Sequence, residues 1–261
     1  MKTAHQHIPR KRFGQHFLHD PGVIQKIIHA IAPQRTDHMV EIGPGQGALT
    51  YPLLERLDAL HVVEIDRDLA AYMQSREIEN LQVHTVDALR FDFCSLAHGS
   101  RLRVVGNLPY NISTPILFHL MKQLECIQDM YFMLQKEVVE RMVAAPGSRD
   151  YGRLSIMVQY RCDVESLFDI GPGAFKPPPR VDSSLVRLTP HEQAPAQVND
   201  ERLFEKLVTQ AFSARRKTLR NALKNLLEPA QIEACGIDPG LRPEQLSLQQ
   251  FACLCNQVIV T

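Results

Sequence analysis

The chain has 261 residues, of which 44% are hydrophobic and 22% charged, so it can bury the core of one or two compact domains and is too apolar to be disordered overall. Its formal net charge of zero excludes a global attraction to nucleic acid, so any basic binding surface must be local. No run reaches the roughly 18 apolar residues of a membrane span and the basic N-terminus lacks a signal-peptide pattern, so we expect a soluble, cytoplasmic protein.

The first predicted element is a basic N-terminal segment over residues 1–20, which we expect to be an arm and not a strand. It carries Arg10, Lys11 and Arg12 ahead of a polar-aromatic run over residues 13–18.

An alternation of helices and strands follows the arm. Residues 21–32 have apolar positions at helical spacing behind a capping aspartate, which predicts a helix. Short apolar runs then predict five strands, at 39–43, 60–66, 81–88, 102–110 and 130–134. Helical patterns accompany them, at 47–57, 67–76 and 136–145. This order predicts an α/β fold with a mostly parallel, doubly wound, Rossmann-like sheet.

The last part of the chain changes character. Two strands are predicted near 164–170 and 184–189, on either side of a stiff, proline-rich segment over residues 175–180. Beyond residues 190–199 the pattern predicts only helices, at 200–212, 216–227, 229–235 and 244–259. We therefore predict a Rossmann-like domain over residues 21–190 and a small all-helical domain over residues 191–261.

The cysteine and histidine spacings predict neither a disulfide framework nor a metal site. Six cysteines are scattered along the chain, and only Cys253 and Cys255 lie close together, without a second pair of ligands. The eleven histidines include no H-E-x-x-H pattern or paired metal-ligand spacing. We expect reduced cysteines in the core and no bound metal.

Polar residues follow each of the first four predicted strands. In a doubly wound sheet ligands bind outside the carboxyl ends of the strands, so residues at these ends are expected to share one site. The four strand ends carry residues 41–48, 64–66, 87–88 and 107–110.

The first strand end is a glycine loop with Gly43, Gly45 and Gly47. Its backbone N–H groups and the following helix can face an anion, either a pyrophosphate or the carboxylate of a methionine moiety. The plainer alternative is a glycine turn without a ligand. Glu64, at the second strand end, fits a carboxylate that accepts from both ribose hydroxyls, and its alternative is an exposed carboxylate at a strand end.

Asp87 favours a methyl donor over a dinucleotide. An acidic side chain at the third strand end can accept from the adenine amino group of S-adenosylmethionine, although an aspartate there can also serve only the turn. Together with Glu64, it predicts S-adenosylmethionine as the cofactor.

The fourth strand end, Asn107-Leu108-Pro109-Tyr110, is the most specific feature of the sequence. The lone pair of adenine N6 is delocalised into the ring, so the nitrogen is a poor nucleophile. The Asn107 side-chain oxygen and a backbone carbonyl in Leu108-Pro109 can accept from N6, free the lone pair and stabilise the charge that grows during attack on a sulfonium methyl. Tyr110 offers a ring on which an unpaired base stacks. The alternative is a strand-to-loop turn that uses Asn and Pro for its geometry.

Segments spread over nearly the whole chain resemble those of a known family. The matching segments are 10–18, 40–50, 62–70, 86–88, 106–116, 133–142, 151–160, 175–188 and 211–223. Together they resemble the ribosomal RNA adenine dimethyltransferases, most closely the bacterial small-subunit members, whose loss confers kasugamycin resistance.

The resemblance implies a class I S-adenosylmethionine-dependent methyltransferase fold and a defined reaction. That reaction is the transfer of four methyl groups onto the N6 atoms of two adjacent adenosines in the 3′-terminal hairpin loop of 16S rRNA, late in assembly of the 30S subunit. With the strand-end residues, the expected cofactor contacts are His16, Leu18, Gly43, Gly45, Gly47, Glu64, Ile65, Asp87, Ala88 and Asn107.

Two positions qualify the resemblance. The family usually has Asn where this chain has His16, and an imidazole has a different pattern of donors and acceptors. By the same matching, Phe175 is expected to clamp the target base opposite Tyr110. The alternative is that Phe175 packs against the proline run that follows it.

Two basic clusters predict contacts to RNA. The first contains Lys2, Arg10, Lys11 and Arg12, and the second contains Arg215, Arg216, Lys217, Arg220 and Lys224. We expect positions 216, 217, 220 and 224 to share one helical face and to neutralise phosphates, although such a face can also be merely solvated.

Two rival functions remain open from the sequence. One is a DNA adenine methyltransferase, which performs the same chemistry on another polymer. The other is a non-catalytic assembly factor that binds the immature 30S subunit and uses its pocket as a checkpoint. We expect a monomer, because no interface pattern is evident.

Overall fold

The computed structural model describes residues 15–97, 99–213 and 216–258. Four predicted RNA contacts, Arg10, Lys11, Arg12 and Arg215, and the neighbouring Lys2 lie outside the described residues. The chain divides into two compact units, one drawn from residues 1–139 and 165–190 and the other from residues 140–164 and 191–261. The division after residue 190 coincides with the predicted boundary, whereas residues 140–164 belong to the second unit and not to the predicted 21–190 domain.

The strands form one large sheet and one short pair. Their bounds are β1 Phe17–Leu18, β2 His38–Ile42, β3 Leu60–Val63, β4 Leu81–His84, β5 Leu102–Asn107, β6 Ile127–Gln135, β7 Cys162–Ile170, β8 Phe175–Lys176 and β9 Ser183–Pro190. The large sheet has the order β4-β3-β2-β5-β6-β9-β7. β4, β3, β2, β5 and β6 run parallel, and β9 runs antiparallel to β6. The α/β class with a mostly parallel sheet is therefore confirmed.

The helices vary from four to eleven residues. Their bounds are α1 Pro21–Ile31, α2 Thr50–Leu54, α3 Arg67–Gln74, α4 Ser113–Leu120, α5 Lys136–Val143, α6 Arg153–Arg161, α7 Glu201–Ala211, α8 Leu219–Ala222, α9 Pro229–Ala234 and α10 Leu248–Asn256. The Asp20 carboxylate caps α1 by accepting from the Val23 N–H, as the sequence predicts.

The core of the first unit explains why the central strands are short apolar runs. Val40, Val62 and Val104 lie on adjacent parallel strands and are fully buried, because both faces of the sheet are covered. Strand order reverses beside β2, since β3 lies on one side of it and β5 on the other. A crevice outside the carboxyl ends of β2 and β5 is therefore the expected ligand position.

The arm contains a short strand, which corrects the prediction that it has none. Phe17 and Leu18 pair with Lys176 and Phe175 as the antiparallel β1-β8 ladder. The partners lie more than 150 residues apart in the sequence, so no local pattern indicates this pairing.

The second unit is built on buried apolar helix faces. Phe204, Leu207 and Val208 of α7 are fully buried, as is Phe251 of α10. The ring of Tyr160, on α6, lies 4.8 Å from that of Phe204. This packing explains why α6, which the sequence analysis did not identify as a helix, belongs to the helical unit.

The helix predicted over residues 216–227 is wrong in length, because α8 spans only Leu219–Ala222. The N–H groups of Leu219 and Arg220 donate to the carbonyls of Leu241 and Pro239, so a distant turn and not a preceding helical turn satisfies them. The four basic positions predicted to share one helical face are therefore not on one helix.

The expectation of six reduced cysteines is also corrected. Cys94 is bonded to Cys126 and Cys235 to Cys253, while Cys162 and Cys255 are buried free thiols. The bonded pairs are 32 and 18 residues apart, but folding brings their Cα atoms to 5.4 and 5.9 Å, a separation that a disulfide spans.

The helices of the described residues are all too short or too polar to span a membrane. The same residues hold no group of three or more side chains suited to a metal ion.

Candidate active site

A cavity lies at the carboxyl ends of β2, β3, β4 and β5, where the strand order reverses. Twelve of the predicted site residues line it, namely His16, Leu18, Gly43, Gly45, Glu64, Ile65, Asp87, Ala88, Asn107, Leu108, Pro109 and Tyr110. The four strand ends singled out in the sequence thus meet in one place. Gly47 and Phe175 are not among the lining residues.

The glycine loop joins β2 to the cavity in a backbone conformation that side chains disfavour. Gly45 has a φ of +57°, and a Cβ on it would lie 2.9 Å from the Phe17 ring. Gly47 has a φ of +89°, and a Cβ there would lie 2.3 Å from the Tyr51 ring. Gly45 therefore lets β1 close on the loop, whereas Gly47 is required for packing against α2.

Glu64 follows β3 and is 5% exposed. Its Oε1 accepts from the Asp66 N–H at 2.8 Å. Burial raises the pKa of Glu64, and hydrogen bonds from the backbone of Asp66, Gly45 and Ile65 oppose that rise. The carboxylate is thus held by the glycine loop and by its own turn, at a fixed place on the cavity wall where it can accept from a diol.

Asp87 caps its own turn and also lines the cavity. Its Oδ1 accepts from the Leu89 N–H at 3.0 Å and caps the short 3₁₀ turn Ala88–Arg90. The side chain also lines the cavity. One oxygen therefore serves the turn, and a carboxylate has a second oxygen that can accept from an amino group.

Glu41 is a cavity residue that the sequence analysis did not single out. It lies on β2 directly before the glycine loop, is 2% exposed, and its Oε2 accepts from the Thr50 hydroxyl at 2.6 Å. Burial raises the pKa of Glu41 to about 7, the Thr50 hydrogen bond opposes that rise, and the nearby Glu64 adds to it. A charged residue inside an otherwise apolar strand is the sequence signal that could have identified it.

The charge of the cavity discriminates between the two ligands that a glycine loop can serve. Its lining contains three carboxylates, Glu41, Glu64 and Asp87, and no Lys or Arg among the residues that the structure describes. An anionic pyrophosphate is repelled by such a wall, whereas the sulfonium and ammonium groups of S-adenosylmethionine are attracted to it. The residues present therefore fit the methyl donor and not a dinucleotide.

Asn107 is oriented by the arm. Its Nδ2 donates to the His16 backbone carbonyl at 2.8 Å. A carbonyl only accepts, so this contact fixes which end of the amide is the nitrogen and leaves the oxygen end as the acceptor for a ligand. The next residue, Leu108, is held by its N–H, which donates to the Met133 carbonyl on β6 at 3.3 Å.

Pro109 and Tyr110 complete the turn. The Pro109 carbonyl accepts from the Ile112 N–H at 3.1 Å, and a carbonyl oxygen has a second lone pair for another donor. The Tyr110 hydroxyl is hydrogen-bonded to the Ser183 hydroxyl at 2.7 Å. Burial raises the pKa of Tyr110, which keeps the phenol neutral, and the Ser183 hydrogen bond opposes that rise.

The His16 ring contacts two distant parts of the first unit. Its Nδ1 lies 2.8 Å from the Pro177 carbonyl, so Nδ1 carries the hydrogen and donates. Its ring centroid lies 5.6 Å from that of Tyr110, and the two planes are inclined by 26°. Ser183 and Pro177 are therefore site residues that sequence reasoning missed, since each is far from its partner along the chain.

The structure does not place Phe175 opposite Tyr110, which corrects the expectation of a base clamp. Its side chain is 2% exposed and belongs to the core cluster that includes Leu18, its partner in the β1-β8 ladder. That pairing turns the ring into the core. The predicted RNA contacts Arg216, Lys217, Arg220 and Lys224 are exposed in the second unit.

Comparisons with known proteins agree with this geometry. A family described as "Ribosomal RNA adenine dimethylase" matches residues 6–259. The chain is 59% identical over 251 residues to "Ribosomal RNA small subunit methyltransferase A" of Nitrosococcus oceani, which covers 95% of each chain. It is 57% identical over 253 residues to the protein of the same name from Alcanivorax borkumensis, covering 96% of this chain and 90% of that one. A crystal structure of a dimethyladenosine transferase from Plasmodium falciparum has a TM-score of 0.76 and 28% identity, covering 92% of this chain and 96% of the other.

Proposed function

The chain belongs to the ribosomal RNA adenine dimethylase family, and on that premise we propose that it methylates N6 of two adjacent adenosines in the 3′-terminal hairpin loop of 16S rRNA. It is an S-adenosylmethionine-dependent rRNA adenine dimethyltransferase with the class I methyltransferase fold. The relatives that share more than half of its sequence are named for the small ribosomal subunit, which supports 16S rRNA as the substrate.

The cofactor end of the cavity has the groups that the methyl donor needs. Bound S-adenosylmethionine supplies a methyl group on a positively charged sulfur. In this cavity the turn at Gly43 and Gly45 would face its methionine carboxylate, Glu64 would accept from the ribose hydroxyls and Asp87 would accept from the adenine amino group. Ile65 and Ala88 cover the apolar faces of the nucleoside, and Leu18 closes the cavity from the arm.

The observation that carries the proposal is the orientation of Asn107. Because the His16 carbonyl holds its Nδ2, the Asn107 oxygen is preorganised to accept from the target N6. A backbone carbonyl of Leu108-Pro109 provides the second acceptor. Two such acceptors would hold the amino group out of conjugation with the ring. They would also stabilise the positive charge on N6 as the bond from the methyl carbon to sulfur breaks and its bond to N6 forms.

Tyr110 supplies the surface for the base. An adenine that enters this cavity must leave its stack or come from an unpaired loop, and a hairpin loop meets that requirement at low cost. The neutral phenol ring of Tyr110 then stacks on it. An acceptor pair for an exocyclic amino group beside an aromatic ring suits N6 of an unstacked adenine.

The remaining context belongs to the same proposal. The substrate is 16S rRNA within an immature 30S subunit, the enzyme acts as a monomer, and it works in the cytoplasm where subunits assemble. The exposed Arg216, Lys217, Arg220 and Lys224, with Arg10, Lys11, Arg12 and Arg215, bind phosphates of the rRNA.

The test compares acceptors for a labelled methyl group. The purified protein and labelled S-adenosylmethionine are incubated in three separate reactions. The acceptors are immature 30S subunits, double-stranded DNA and mature methylated subunits. We expect label in 16S rRNA of the immature subunits alone. Label in DNA would instead support the DNA methyltransferase, and no label in any acceptor would support a non-catalytic assembly factor.

A further inference from the structure

Contacts from three separate segments converge on Tyr110. At one end of the side chain, the hydroxyl is bonded to Ser183 at 2.7 Å. On one face, the ring lies against His16, with centroids 5.6 Å apart and planes inclined by 26°. His16 is itself held by the Pro177 carbonyl, which accepts from Nδ1 at 2.8 Å.

Each holding residue is anchored independently of Tyr110. Ser183 is fully buried and is the first residue of β9, where it pairs with Gln135 of β6. His16 directly precedes β1, and Pro177 directly follows β8. The pairing of β1 with β8 therefore fixes the backbone next to each of these two residues. Holding the hydroxyl end and one face of an aromatic ring restricts its two side-chain torsions at once.

The main chain and the side chain of His16 have separable roles. The His16 carbonyl orients the Asn107 amide, while the imidazole contacts Tyr110 and Pro177. A substitution of the side chain leaves the carbonyl in place. The effect of the imidazole on Tyr110 can therefore be measured with the Asn107 contact intact.

We propose that the side chains of His16 and Ser183 are positioning residues that fix the Tyr110 ring at the cavity, so that its other face stacks on the target adenine in register with the acceptors for N6. This inference rests on the proposed function, because it requires that Tyr110 meets the base. In-line attack depends on the placement of N6 to within about 1 Å, and a loss of that placement costs on the order of 100-fold in rate. A ring held on two sides provides such placement, whereas an unsupported tyrosine samples several rotamers.

The first experiment measures the ring without any substrate. Tyrosines are labelled with ¹³C in the ring, and the Tyr110 signals are assigned by their loss in Tyr110→Phe. The ring-flip rate of Tyr110 is then compared in wild type, His16→Ala, Ser183→Ala and the matched control Ser184→Ala. Ser184 is the buried neighbour of Ser183, and its hydroxyl bonds to Asp169. We expect flipping at least tenfold faster in His16→Ala and Ser183→Ala, and no change in the control.

The second experiment measures turnover on immature 30S subunits. With S-adenosylmethionine at saturating concentration, we expect kcat to fall on the order of tenfold in His16→Ala and in Ser183→Ala. Tyr110→Phe removes the same hydrogen bond from the other side and leaves the Ser183 side chain in place. Tyr110→Phe should lower kcat as much as Ser183→Ala does. Because both remove one hydrogen bond, the double variant Tyr110→Phe/Ser183→Ala should be no slower than either single variant.

The outcomes separate this proposal from the proposed function. Unchanged ring flipping in both variants overturns the proposal even if the enzyme methylates 16S rRNA normally. Faster flipping with unchanged kcat also overturns it, as does a lower KM for the subunit in His16→Ala, which would mean that the imidazole blocks the base. A wild-type enzyme that transfers no methyl group to rRNA refutes the proposed function, whatever the ring-flip rates are.

Discussion

The two ends of the active-site cavity are fixed in different ways. At the cofactor end, Glu64 is bonded to a backbone N–H two residues away, and so is Asp87. At the base end, the hydrogen bonds join residues that are far apart along the chain. Asn107 and His16 are 91 positions apart, Tyr110 and Ser183 are 73 apart, and His16 and Pro177 are 161 apart. The first end is built from strand termini and their own turns, whereas the second is assembled from the arm, the turn after β5 and the start of β9.

This difference separates what each end controls. Substitutions at the cofactor end should change the affinity for S-adenosylmethionine, because we propose that the side chains there bind it directly. Substitutions at the base end should change turnover, because several distant segments together determine where N6 of the target adenine lies. The following predictions test that division, beginning with the largest effect.

Asn107→Ala should lower the rate of methyl transfer by about 1000-fold, because it removes a preorganised acceptor for N6 in the transition state. The affinity for S-adenosylmethionine should stay within severalfold of the wild-type value. Single-turnover methylation and calorimetric titration with the cofactor measure the two quantities. Turnover at the wild-type rate would show that Asn107 is only a turn residue.

Phe175→Ala should destabilise the protein by about 3–5 kcal/mol, because the ring is buried in the core. Urea unfolding followed by circular dichroism measures this free energy. The control is Val181→Ala, an exposed residue between β8 and β9. If Phe175→Ala left the free energy of unfolding unchanged and abolished turnover, Phe175 would be a base clamp and not a core residue.

Glu64→Gln should weaken S-adenosylmethionine binding by about 10-fold to 100-fold, because it replaces charge-assisted hydrogen bonds to the ribose by neutral ones. Rate constants at saturating cofactor should change far less than the affinity does. Titration with cofactor and kinetics at saturation separate the two effects. A large loss of kcat at saturation would contradict the assignment of Glu64 to the cofactor end.

The affinity for S-adenosylmethionine should rise about tenfold between pH 6 and pH 8, because Glu41, with a pKa of about 7, changes from neutral to anionic and attracts the cationic cofactor. Glu41→Gln should make the affinity independent of pH over this range. Titrations at several pH values check both statements, and a pH dependence that persists in Glu41→Gln would assign the effect to another group.

The same carboxyl group affects stability with a defined sign. Its folded pKa is raised to about 7 from the ordinary 4.5, so its contribution to stability is fully present below pH 4.5 and is lost as pH rises through 7. Glu41→Gln should therefore be more stable than wild type at pH 8. Urea unfolding at pH 5 and pH 8 tests this, and an equal difference at both values would contradict it.

The smallest effects are expected for single basic residues. Neutralising Arg220 or Lys224 should weaken RNA binding only a few-fold and reduce the slope of log affinity against log salt by about 1 for each phosphate that the variant no longer neutralises. Filter binding of subunit precursors over a salt series measures the slope, with exposed Arg35 of the first unit as the control. Affinity that does not change with salt would exclude these residues from docking.

The sequence predicted which strand-end residues line the cavity, because the signals for them are local. Buried runs that end in Glu64, Asp87 and Asn107 indicate both the strands and the polar groups that follow them. The base end depends on long-range contacts, so the pairing of Ser183 with Tyr110 and the burial of Phe175 against Leu18 had no sequence signal. The prediction of a helix over residues 216–227 failed at its start for a similar reason, because the first N–H groups of α8 donate to the distant carbonyls of Leu241 and Pro239.

The most direct test of the account is mass spectrometry of the 3′-terminal hairpin of 16S rRNA after reaction of immature 30S subunits with the protein and labelled S-adenosylmethionine. We predict N6,N6-dimethyladenosine at two adjacent positions of the loop, and none with Asn107→Ala. Label elsewhere in the rRNA, methylation of a base other than adenine, or no methylated adenosine at all would contradict the central claim.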